Sequence, residues 1–324
     1  MRRNAIVPLL PVLAAALLAC RGTTDPLPVR VSHPAGTLAA RATGLTGRPF
    51  GIRVSSVGDV LVTEQDANAV ARFSLTDLIA GPPIAVGADP GDVVFTHDGR
   101  TAFVSNFNDG SVQMLDVAGG RPLQRLLVAP TNAYRLALSP DDARLYVTSN
   151  NGRLYAVDPT GQRATTSVFL GGSLQGIAIS RDGLALTVSS AEGGVWRLNA
   201  GTLAVLASTN LGSYPTQDVV LTPDETELYV ANENGYLDVL DPSTLQSIRR
   251  LSLAGLYAFG LAVTPDGEQI YVTSPYSGEV GIVDRSTATI RHLPVGGTPR
   301  RIAFDASGST ALISNEGNWV DVIR

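Results

Sequence analysis

The sequence predicts an all-β chain closed into a ring of seven blades, each a sheet of four antiparallel strands. Three observations predict it. The first is a period. The apolar residue that opens Leu261-Ala262-Val263-Thr264-Pro265-Asp266-Gly267 has counterparts at Ile52, Val93, Leu136, Ile177, Val219 and Ile302, spaced by 41, 43, 41, 42, 42 and 41 residues. The second is texture. Further columns of β-branched, aliphatic and tyrosine residues follow each anchor, as at Tyr146-Val147-Thr148-Ser149, Tyr229-Val230-Ala231-Asn232 and Leu237 to Asp241. The third is punctuation, since Pro-Asp-Gly, Asn-Gly and Asp-Pro turns bound these short runs. Four short strands per ~40–45 residues is the signature of a β-propeller blade, and seven anchors give seven blades.

The first element to justify is the last one closed. Only 22 residues follow Ile302, room for three strands. The stretch Thr37 to Pro49 aligns with Thr289 to Pro299, which carries the outermost strand of blade six. Residues 37 to 45 are therefore predicted to supply the outermost strand of blade seven, beside Trp319 to Arg324. Pairing the two ends in one blade removes an open sheet edge.

The N-terminus precedes this ring. Arg2-Arg3 leads into an apolar run from Ala5 to Ala19, interrupted by Pro8 and Pro11. Fifteen residues are too few for a spanning helix and have signal-peptide proportions. The run ends in Leu17-Leu18-Ala19-Cys20, which resembles the lipobox of bacterial lipoproteins. The expected organisation is a signal peptide over 1–19, a tether over 20–36 with lipid-modified Cys20, and the propeller over 37–324. Cleavage before Cys20 would move the net charge from −5 to −7, so attachment to an anionic membrane would rest on the lipid rather than on charge.

Composition narrows the function. All 24 basic residues are arginine against 29 acidic residues, which excludes a Schiff-base or P-loop lysine. The acidic balance, with arginine scattered over all blades, also argues against a continuous nucleic-acid groove. One cysteine and three histidines cannot build a disulfide framework or a Cys/His metal cluster.

The phrases Tyr146-Val147-Thr148-Ser149-Asn150, Tyr229-Val230-Ala231-Asn232 and Tyr271-Val272-Thr273-Ser274 resemble the YVTN repeat of surface-layer and YncE-like propeller proteins. The likeness spans residues 48 to 324. It implies a propeller, and functions that range over binding scaffolds, lactonases and propeller parts of redox enzymes.

In such a ring, the loops leading into the innermost strands share one face with the loops between second and third strands. The aligned positions at the head of each innermost strand are Gly51, Asp92, Arg135, Gly176, Asp218, Gly260 and Arg301. One residue earlier stand Phe50, Gly91, Tyr134, Gln175, Gln217, Phe259 and Arg300. Glu64, Asn106, Asn150, Glu192, Asn232, Glu233, Tyr276, Asn315 and Glu316 belong to the neighbouring loops. The candidate ligand-binding set at the channel mouth is Asp92, Tyr134, Arg135, Asp218, Arg300, Arg301, Glu64 and Glu233. Arginine forks suit carboxylate or phosphate and aromatic faces suit stacking, so the ligand would be a small anion, a carbohydrate, a peptide or a protein. The competing reading is that Asp92, Arg135, Asp218 and Arg301 simply pair with one another. The Asn-Gly pairs at 151–152 and 234–235 read as turns needing positive φ.

Catalysis has little to stand on. His33 falls in the tether, His97 in a turn on the opposite face and His292 in an outer strand, so no base faces the mouth. No Gly-x-Ser-x-Gly elbow is present and a histidine-bound copper centre cannot be assembled. No cofactor is expected. A Ca²⁺ ion held by oxygen ligands would have to draw on Glu64, Asn150, Asn232 and Asp218. The expected function is thus a non-catalytic envelope scaffold. The alternatives are a hydrolase resembling seven-bladed lactonases, which need no covalent nucleophile, and, third, a nucleic-acid binder.

Overall fold

The computed structural model describes residues 32–129, 132–161 and 164–324. Cys20 and the other positions up to residue 31, expected as signal peptide and tether, lie outside the described residues. Seven four-stranded antiparallel sheets follow one another along the chain, and all described regular structure is strand. Blades one to six are each contiguous in sequence. Blade seven combines Pro299–Phe304, Ala311–Asn315 and Trp319–Ile323 with an outermost strand from the other end, Leu38–Ala42.

That closure follows the predicted alignment. Leu38 pairs with Ile323 and Ala42 with Val320, and Thr37 and Arg324 exchange backbone hydrogen bonds of 3.0 Å each way. Arg41 donates from Nε to Asp321 Oδ1 at 2.9 Å and from Nη2 to the Val295 carbonyl at 2.6 Å. Its guanidinium lies 4.3 Å from the Trp319 ring centre, while Trp319 donates to Asp321 at 2.8 Å. Residues 32–36, expected as tether, also have partners in the ring: His33 Nδ1 lies 2.7 Å from Asp266 Oδ2, and Arg291 donates to the Gly36 carbonyl at 2.6 Å.

Hydrophobic burial is organised between blades. Second strands such as Leu145–Ser149 are buried along their whole length because both faces meet apolar side chains, whereas outer strands such as Val205–Asn210 are largely exposed. Seven apolar clusters result, one at each blade interface; Phe103 and Leu126 of blade two against Leu136 and Val147 of blade three is an example. Each blade thus buries its surface against two neighbours, one on either side.

Hydroxyls join the blades near the axis. The innermost strands of blades one to five and seven carry a register shift just where the candidate residues sit. The freed amides turn to a Ser or Thr of the second strand: Gly51 to Thr63 at 2.7 Å, Arg135 to Thr148 at 3.0 Å and Arg301 to Ser314 at 3.0 Å. The same hydroxyls donate onward to the next blade, Thr148 to the Gln175 carbonyl at 3.0 Å and Thr273 to the Arg300 carbonyl at 2.7 Å. This is the physical role of the third residue of the repeated phrase. Blade five has Ala231 there and lacks the hydroxyl; Asp218 supplies the link instead, accepting from the Leu261 amide of blade six at 3.2 Å. Glycine at 176 and 260 allows the blades to approach, since a Cβ would stand 2.7 Å from Asp218 Cα and 2.2 Å from the Arg300 carbonyl respectively.

In the two Asn-Gly turns it is the glycine that takes positive φ, at +80° for Gly152 and +86° for Gly235. Asn151 and Asn234 instead accept the amide two residues on, at 3.0 and 3.1 Å. The expectation of positive φ therefore applies to Gly152 and Gly235 rather than to the asparagines.

Candidate functional site: the central channel

Strand alternation sorts the inner strands into layers. Phe50, Tyr134 and Phe259 form the uppermost. They are buried against one another, with ring centres 6.0 Å apart for Phe50–Phe259 and 6.3 Å for Phe50–Tyr134, and Phe107 packs on Tyr134 at 5.8 Å. Aromatic pairs at tilted or edge-on geometry favour such spacings. The sequence placed three of these aromatics at the mouth; the structure makes them a cap on it.

Beneath the cap lie Asp92, Arg135, Asp218 and Arg301, expected at the mouth and found buried one layer down. Arg135 Nη1 stands 3.2 Å from Asp92 Oδ1, and Arg135 Nη2 3.2 Å from Asp218 Oδ1. Arg301 Nη1 reaches Asp218 Oδ2 at 2.9 Å and its Nη2 donates to the Tyr134 hydroxyl at 3.2 Å. Asp218 of blade five thus holds arginines from blades three and seven. Asp92 also accepts the Leu136 amide at 3.0 Å. The Arg301 guanidinium lies 4.6 Å from the Phe259 ring centre, a cation–π contact in a desolvated place.

The electrostatics follow from this crowding. Burial pushes the Asp218 carboxyl up, but Arg135, Arg301 and the Leu261 amide more than offset it and hold it below the usual range. Burial alone would lower Arg135; the two aspartates outweigh that and raise it. The four charges pair with one another across the channel, which is the pairing reading of the sequence. A ligand above the cap would not touch them.

Glu64, also expected at the mouth, is fully buried and committed elsewhere. It accepts the Thr46 amide at 2.5 Å, the Thr46 hydroxyl at 3.0 Å and the Gly47 amide at 2.9 Å, clamping the loop that leads into blade one. Asn106 clamps Gly87 and Asn315 clamps Thr298 from the same column, at 3.0 and 2.8 Å. Among the described residues no group of three or more His, Cys, Asp or Glu side chains is placed to hold a metal. Of the oxygen ligands considered for Ca²⁺, Glu64, Asn232 and Asp218 each have local partners of their own.

Above the cap, Arg300 stacks on Phe259 and Phe50, at 4.7 and 5.6 Å to the ring centres, and donates to Glu316 at 2.8 Å. Glu233 accepts from Gln217 at 3.0 Å; burial pushes its carboxyl up, opposed in part by Gln217 and Arg300. Tyr257 and Tyr276 meet edge-on at 5.9 Å and are 48% and 76% exposed. Tyr257 and Phe107 were not singled out from the sequence, because both lie in loops outside the aligned columns. Arg53 was missed as well. It stands two residues beyond Gly51 on the same strand face, and strand alternation alone would have found it.

No family model matches the chain, and no curated protein matches it. Among solved structures, it is similar to hydrazine synthase from Kuenenia stuttgartiensis, at 20% identity with a TM-score of 0.78, over 90% of this chain and 99% of that chain. At that identity the likeness is one of fold: the chain is a seven-bladed β-propeller.

Proposed function

We propose that the protein is a YVTN-type, YncE-like envelope lipoprotein whose propeller is a non-catalytic binding scaffold, with its ligand on the face above the aromatic cap. The observation that carries the reading is the division of labour in the channel. The buried ionic groups are committed to one another and to backbone amides, while the face above presents stacking surfaces beside polar groups. Tyr257, Tyr276, the Arg300–Glu316 pair and Glu233 suit a carbohydrate or peptide that offers hydrogen-bond donors and a face to stack. His33, His97 and His292 pair with Asp266, Asp142 and Glu279 at the periphery, which leaves no imidazole for acid–base work at the mouth.

The test is retention of envelope peptides and glycans by the purified protein. The double replacement Tyr257→Ala/Tyr276→Ala is expected to weaken the retained ligand about tenfold or more, with the melting temperature within about 2 °C of the parent. Unchanged affinity would remove the upper face from consideration, and turnover of a lactone panel would overturn the non-catalytic reading. Anchoring is tested separately by labelled palmitate: incorporation is expected in the parent and lost in Cys20→Ala. Equal labelling of both proteins would exclude Cys20 as the attachment point.

A further inference from the structure

The channel does not balance its charge. Below the aromatic cap it holds the guanidiniums of Arg53, Arg135 and Arg301 but only the carboxylates of Asp92 and Asp218. Guanidinium does not deprotonate in a protein, so a net charge of +1 stays in the channel, with Arg53 half-buried at its lower end. Arg135 and Arg301 have the two carboxylates. Arg53 has none among the described residues; its one hydrogen bond runs from Nη1 to the Ile52 carbonyl at 3.3 Å.

Two further observations point to an occupant. The Nε–H groups of Arg135 and Arg301 are buried without a hydrogen-bond acceptor, although the side chains are only 5% and 1% exposed. Buried donors of that kind normally have partners, and leaving one orphaned forfeits its hydration without return. The layer that contains Arg53 is otherwise Val94, Ala137, Ala178, Val220, Ala262 and Ala303, which are short and carry no side-chain acceptor. Arg53 also lines a lower-face depression of about 360 Å³ with Ser55, Val94 and Leu138, which joins it to solvent.

We propose that the lower channel binds one small monovalent anion of halide size, held by Arg53 together with Arg135 and Arg301. A single negative charge neutralises the excess, and a small sphere can accept donors arriving from several directions. Burial lowers the Arg53 pKa and the neighbouring Arg135 and Arg301 add to this, Asp92 and Asp218 opposing; the same crowding is relieved by an anion. Around the lower mouth, Asp98, Asp141, Asp182, Asp224 and Asp266 cap their own turns through Thr96, Ser139, Ser180, Thr222 and Thr264. This acidic rim disfavours multiply charged anions such as sulfate and phosphate, which leaves a halide as the fitting class.

The purified full-length protein should be melted in sodium chloride and in sodium gluconate at equal ionic strength, gluconate being too large for the channel. Chloride is expected to raise the melting temperature saturably by roughly 2–6 °C. Arg53→Met, which extends the apolar layer, is expected to melt at the same temperature in both salts. Crystals grown with sodium bromide should show an anomalous peak between the three guanidiniums. The bromide experiment uses the unaltered protein, so it decides the matter even if Arg53→Met fails to fold. Identical melts in the two salts, or an empty channel in bromide crystals, would overturn the proposal.

Discussion

Asp218→Ala is expected to lower the stability of the ring by about 3–5 kcal/mol, because it strips two buried guanidiniums of their shared partner at once. In a ring of this size that corresponds to a fall in melting temperature of roughly 6–15 °C. The change also removes the acceptor for the Leu261 amide, the side-chain link between blades five and six where Ala231 supplies no hydroxyl. Asp92→Ala is the informative contrast, since Asp92 serves Arg135 alone and one amide. Its effect is expected to be about half as large. The acid limb of a melting profile carries the same information. The folded Asp218 pKa lies below its ordinary value near 3.8, so its contribution is complete above that value and is lost as pH falls through the lower, folded one. Asp218→Asn should therefore flatten the part of the acid decline below about pH 4. A melting temperature for Asp218→Ala within about 2 °C of the parent would show that the cluster is not structural.

Deletion of residues 37–46 is expected to be costlier still, with a fall of roughly 10–20 °C and association of the protein on warming. The deletion removes the outermost strand of blade seven and leaves Trp319–Ile323 with unpaired backbone groups on one side. It uncovers Val320 and Val322, against which the fully buried Ala42 lies. It also removes Arg41 from Asp321, a fully buried carboxylate whose pKa burial already pushes up; Asn315 and Trp319 would remain as its side-chain donors. Arg41→Ala isolates that electrostatic share, and should produce a smaller loss than the deletion. An unchanged melt after the deletion would refute closure of the ring by the N-terminal strand.

The two variants probe features that were unequally legible. The N-terminal strand could be read in advance because a repeat announces its own missing member. Thr37 to Pro49 matches the end of blade six, and Ile302 has too little chain after it. The candidate site was legible as a set of residues and not as an arrangement. The columns correctly brought Asp92, Arg135, Asp218 and Arg301 to one layer, yet could not say that aromatic rings would close over it. Phe50, Tyr134 and Phe259 come from blades one, three and six, and their meeting depends on ring diameter and side-chain direction. Glu64 shares a column with Asn106 and Asn315, so its clamping role was signalled by position while its charge suggested a ligand contact. Its partners are backbone amides, which have no sequence signature.

By itself the sequence determined the number of blades, the strand texture, the turns and the pairing of the two ends of the ring. These are local or periodic properties: β-branched runs, turn residues and a repeat of about 42 residues act through near neighbours in the chain. Only the tertiary structure decided who pairs with whom across the axis. Asp218 lies 83 residues from each of its two arginines, and the choice between a ligand and a neighbouring charge is made by desolvation and by distances across the channel. The excess charge at Arg53 belongs to that second class. It appears only when three arginines and two aspartates from five blades are gathered around one channel, where the buried charges must find partners.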